Sequence, residues 1–110
     1  MNHRRALTDL LASIHIDAEL TSWHQTAWTS ATFSGVRFCA MLCFPGAAAG
    51  PGEAWLYTIG GGEFTIPRCE VIDAQCLWLE WDRGPDGSRG LRCEIAGVLL
   101  DAAPRLREAA

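Results

Sequence analysis

Lysine is absent from this sequence. Its positive charge rests on nine arginines, scattered apart from the pair Arg4–Arg5, against thirteen acidic residues. A net charge of -4 without a basic stripe offers little to a phosphate backbone, whose neutralisation supplies most non-specific affinity. No nucleic-acid partner is therefore expected. Long apolar runs are also missing. The opening "MNHRRALTDLLAS" has a basic start, but Asp9 interrupts the apolar stretch that a secretory signal needs. Nothing approaches the ~20 apolar residues of a membrane-spanning helix. A cytoplasmic location without a membrane partner is the expectation.

Signatures of chemistry are equally scarce. No C-x-x-C pair occurs, and the five cysteines (Cys39, Cys43, Cys69, Cys76 and Cys93) are odd in number. They read as reduced thiols on or beside apolar faces rather than a disulfide framework. Cys39 and Cys43, four apart on a strand, lie ~13 Å apart at strand rise, too far to share a zinc whose Zn–S bonds are ~2.3 Å. His15, Asp17 and Glu19 share one strand face but diverge from any common ion. Gly60–Gly62 precede no G-K-[ST], and no G-x-S-x-G or H-E-x-x-H occurs. No cofactor, metal or catalytic residue is assigned.

What is present describes one domain over residues 1–110, of a size that buries a modest core. Leu7, Leu10, Leu11 and Ile14 repeat at i, i+3, i+4 and i+7, predicting an N-terminal helix, with Asn2 as its N-cap. From Ile14 the period shortens to two. Ile14, Ile16, Ala18 and Leu20 alternate with His15, Asp17, Glu19 and Thr21, predicting a strand. In "WHQTAWTSATFSG", a loop at His24–Ala27 sets Trp23 opposite Trp28 and Thr21 opposite Ser30. The same register gathers Leu20, Ala31 and Phe33 on the core face. Alternation then breaks at Ser34–Gly35, predicting a bulge or kink, and resumes with Val36, Phe38, Ala40, Leu42 and Phe44 inward.

The middle, "GAAAGPGEAWLYTIGGGEFTIPR", allows a short helix or a hairpin; Pro51 near a start and Glu53 in a first turn favour the helix. Farther on, "GPDGS" is a turn signal between two strand patterns. The register there sets Trp81 opposite Leu91, Leu79 against Cys93, Leu77 against Ile95, and Glu80 against Arg92. The tail from Asp101 to Ala110 reads as a helical turn or a frayed end. The fold class is α+β: an N-terminal helix on a four-stranded, mostly antiparallel twisted sheet, in the order α-β-β-α-β-β.

"AWTSATFSGVR" (Ala27 to Arg37) and "GEFTIPRCEVIDA" (Gly62 to Ala74) resemble a small family of uncharacterised alphaproteobacterial proteins. The resemblance spans most of the chain. It implies a compact bacterial cytosolic domain and carries over no activity, ligand or site residue.

Two functional expectations follow from the tryptophans and the polar residues near them. Trp23, Trp28 and Trp78 fall on faces that are otherwise polar, and grouped exposed aromatics mark interaction surfaces. A non-catalytic interaction domain forming a homodimer through these three is the first reading. The second is a small-molecule binding domain or minor enzyme, with a pocket between helix and sheet bordered by His24, Cys39 and Tyr57.

Overall fold

The computed structural model of the chain describes residues 2–59, 69–83 and 89–101. The elements are α1 (His3–Ser13), β1 (Glu19–Thr29), β2 (Ser34–Pro45), a 3-10 turn (Gly46–Ala48), α2 (Ala49–Ile59), β3 (Cys69–Arg83) and β4 (Arg89–Asp101). The four strands form one antiparallel sheet in the order β1-β2-β4-β3. This is the α+β arrangement, and the sequence order α-β-β-α-β-β, that the periodicities predict. The Gly60–Gly62 run, the "GPDGS" turn and the tail beyond Asp101 lie outside the described residues.

Asn2 caps α1, its side chain accepting from the Arg5 N–H at 3.0 Å, and Leu7, Leu10 and Leu11 are buried. The helix closes with the Ile14 N–H on the Leu10 carbonyl and the His15 N–H on that of Ala12. His15 takes a left-handed φ of 58°. That closure consumes residues which alternation alone assigns to a strand, so β1 begins at Glu19 rather than Ile14.

The first hairpin turns later than its sequence predicts. β1 runs through His24–Ala27 without a break, and the chain reverses at Ser30–Phe33. There the Ser30 N–H donates to the Phe33 carbonyl at 2.8 Å, while Ser30 Oγ accepts from the N–H groups of Thr32 and Phe33. A serine hydroxyl can hold a turn in this way. Trp23 therefore pairs with Ala40 and Trp28 with Gly35, not with each other. The expected loop at His24–Ala27, the Trp23–Trp28 pair and the core-face placement of Ala31 fall together. Phe33, half-buried, and exposed Ala31 belong to the turn.

Gly35 is likewise no bulge, since β2 pairs with β4 without interruption from Gly35↔Leu100 to Pro45↔Gly90. A side chain there would run into the Leu99 carbonyl. The glycine lets β2 and β4 approach.

Val36, Phe38, Ala40, Leu42 and Phe44 are all buried, as their alternation predicts. Residues 49–59 form the helix rather than a hairpin. α2 settles onto the Phe44 ring at Gly52, where a Cβ would lie 2.5 Å from the ring, and buries Leu56 and Ile59. Both helices contribute to one core with the inward residues of β2 and β4.

In the second hairpin Trp81↔Leu91, Leu79↔Cys93 and Glu80↔Arg92 hold as predicted. Register shifts at Ile72/Gln75 and Cys76/Trp78 then set Cys76, not Leu77, opposite Ile95, and leave Leu77 47% exposed.

Candidate functional site: the sheet face away from the helices

Side chains alternate across a sheet, so the residues between the buried ones on β2 and β4 point away from both helices. They are Arg37, Cys39, Met41 and Cys43 on β2, and Arg92, Glu94 and Ala96 on β4. β1 adds Ser22, His24, Thr26 and Trp28, and β3 adds Trp78 and Glu80. At one end Val98 and Leu100 are buried on this parity too.

Glu94 occupies the centre. One carboxylate oxygen accepts the Cys39 thiol at 3.2 Å and the other accepts the Trp78 indole N–H at 3.0 Å. The side chain of a β4 residue thus links β2 to β3, which do not touch as strands. Burial, followed by the hydrogen bond to Glu94 and its negative charge, pushes the Cys39 thiol up from its ordinary value. Cys39 is held as a donor, not as a thiolate. Burial also raises Cys76. It pushes fully buried Cys93 up to about 12, with a repulsive contribution from neighbouring Cys76. Cys39, Cys43, Cys76 and Cys93 carry free thiols. Among the described residues no group of three or more His, Cys, Asp or Glu could hold a metal ion.

Beside the Glu94 link lies a hollow of about 230 Å³, bordered by His24, Thr26, Arg37, Cys39 and Ala96. His24 and Cys39 are direct cross-strand neighbours. Tyr57, which the sequence reading grouped with them, stands on α2, 74% exposed. The helices pack on the other side of the sheet, so the structure joins two of the three pocket residues. A larger hollow, about 430 Å³, opens where α1 meets the approach to β1, between Leu11, His15, Ile16 and Leu20.

The three tryptophans separate in the same way. Trp23 turns toward the core and stacks on Phe38, ring centroids 5.3 Å apart and planes within 8°. Trp28 and Trp78 face the open side. Five residues apart on one strand, Trp23 and Trp28 must point to opposite faces. Comparison with protein-family models, curated proteins and solved structures finds no match. Among the described residues no helix is long and apolar enough to cross a membrane.

Sequence reasoning overlooked two polar links made by tryptophans. One is Glu94. Its place between inward Cys93 and Ile95 turns it outward, and the Glu80–Arg92 register brings it near Trp78, so the signal was there. The other is Glu53, whose carboxylate accepts the Trp81 indole N–H at 2.7 Å and ties α2 to β3. No local pattern announces that contact, because the two residues belong to different elements.

Proposed function

We propose that this chain is a small, non-catalytic cytoplasmic interaction domain that self-associates as a homodimer through sheet surface its helices leave uncovered. The observation that carries this reading is the one-sided layering. Among the described residues both helices pack on one face of the sheet, while Trp28, Met41, Cys43 and Trp78 lie on the other. Trp78 is 37% exposed there. An aromatic ring left outside the helix layer favours a partner on the open face or at its edge, and a two-fold axis lets one surface meet its own copy. The raised Cys39 thiol adds support, since a thiol held protonated suits packing better than nucleophilic attack. Light scattering over a concentration series is the test. A mass twice the 12.0 kDa of one chain is expected, and a one-chain mass at every concentration overturns the reading.

A second reading rests on the hollow at His24. Arg37 and His24 border it, and neither has a hydrogen-bond or ion-pair partner among the described residues. An arginine guanidinium and an imidazole beside apolar Ala96 suit a small carboxylate. Titration with acetate or benzoate, followed by chemical-shift changes at His24 and Arg37, tests it. Unmoved signals at both remove this reading.

A further inference from the structure

The sheet has two edge strands, β1 and β3, and they differ in what they present to a partner. β3 carries Glu70, Asp73, Glu80, Asp82 and Arg83, and its ladder with β4 is interrupted by two register shifts. Charge and bulges are the usual means by which an edge is closed to further pairing. β1 has neither along most of its length. No residue from Leu20 to Val36 is Asp, Glu, Lys or Arg, and β1 contains no proline or glycine. Its one irregularity lies between Leu20 and Ser22, so Ser22 to Thr29 pairs with β2 in unbroken register. Among the described residues no strand pairs with its other side.

We infer that β1 is the seam of the homodimer, each copy laying its Ser22–Thr29 segment antiparallel against that of a second copy of this chain. This rests on the self-association proposed above and places the contact at the edge of the open face, with Trp78 of β3 outside the seam. The occupant follows from the charge pattern. When a strand pairs with its own copy across a two-fold axis, residues near the axis, here Thr26, face their own copies and the others face residues equally far beyond it. A strand whose charges are mostly of one sign therefore sets like charges across the seam, which is destabilising. A strand free of fixed charge escapes that penalty, whereas β3, with four acids, does not. The axis stands perpendicular to the sheet, because only that symmetry relates two adjacent antiparallel copies. An eight-stranded sheet results, with the helices of both copies on one side. Trp23 on one face and Trp28 on the other both flank the seam.

Charge exchange at Thr26 tests the assignment. Thr26 is exposed and points away from the core, so Thr26→Lys and Thr26→Glu leave the packing intact. Each variant alone should fall from the two-chain mass to the one-chain mass in light scattering, and a one-to-one mixture should recover the two-chain mass. On the unmodified chain, amide exchange at residues 22–29 should slow as concentration rises, while β3 amides keep their rates. If the dimer persists in both variants and β1 exchange ignores concentration, self-association stands and the β1 seam is overturned. A mixture that stays at one-chain mass also overturns it. If the unmodified chain has the one-chain mass throughout, the self-association reading fails and the seam fails with it.

Discussion

The two hairpins use the same antiparallel geometry but are held by different means. β3–β4 is clamped by side chains: Trp81 donates to Glu53 of α2, the Arg89 guanidinium lies 4.6 Å above the Trp81 ring, and Arg92 reaches both Glu80 and Asp82. β1 has fewer ties to the rest of the molecule. Among the described residues they include the Trp23–Phe38 stack, the packing of Leu20 and Trp23 against the core, a Thr21 hydroxyl on the Met41 carbonyl at 3.2 Å, and its ladder with β2. The difference shows where the fold concentrates its specificity. Central strands and one edge are fixed internally by packing and ion pairs, and the other edge relies on backbone pairing, which a second strand could extend.

The most severe way to break the contrast is to part the hairpins from each other. Gly35→Ala places a Cβ against the Leu99 carbonyl at the β2–β4 seam. Backbone cannot yield there as a flexible side chain can, so a loss of roughly 3–5 kcal/mol is expected in urea denaturation. A loss under about 1 kcal/mol would show that the strands can move apart freely.

A smaller effect comes from alkali, acting on the β4 core. The Cys93 thiol is raised from 9.0 to about 12 in the folded chain, so the folded state holds that proton more tightly than the unfolded state. Its contribution is fully present below pH 9.0 and declines as pH climbs toward about 12. Cys39 and Cys76, raised in the same direction, add to the decline. Urea midpoints should fall across that window, and the fall should be shallower in Cys93→Ala. Parallel profiles would contradict the assignment of the decline to Cys93.

The finest comparison sets one tryptophan in each hairpin side by side. Trp81→Phe removes the hydrogen bond to the Glu53 carboxylate and should cost about 1.5 kcal/mol. Trp23→Phe keeps an aromatic ring over Phe38 and loses only a bond to exposed Gln25, for about 0.5 kcal/mol. Equal costs in thermal or urea unfolding would erase the distinction between clamped and free hairpins.

Legibility in the sequence divides along the same line. Glu80 and Arg92 have opposite charges in one register that also pairs Trp81 with Leu91, so several independent signals agreed on the second hairpin. In the first, hydroxyls and two tryptophans fitted a loop at His24–Ala27 by parity alone. The Ser30 turn carries no Asn-Gly or Pro-Gly mark, only a hydroxyl placed to bond the backbone. β2 was readable from its five inward residues, and α2 from Pro51 and Glu53. Leu77 was misplaced because a register shift at Cys76/Trp78 leaves no trace in alternation. Of the candidate site, the proximity of His24 and Cys39 depended on β1 continuing through residues 24–27, and the outward face of Trp78 on the second hairpin. Tyr57 could be separated from them only once α2 had a side of the sheet.

Glu94 gives the protein an optical gauge of its own state. An indole whose N–H binds a carboxylate emits differently from one free in water, and here the same carboxylate also holds the Cys39 thiol. Alkylating or oxidising Cys39 would release one oxygen of Glu94 and change the field around the Trp78 ring. With the other four tryptophans replaced by phenylalanine, events at β2 can then be followed through light emitted from β3, without attaching a dye to either strand.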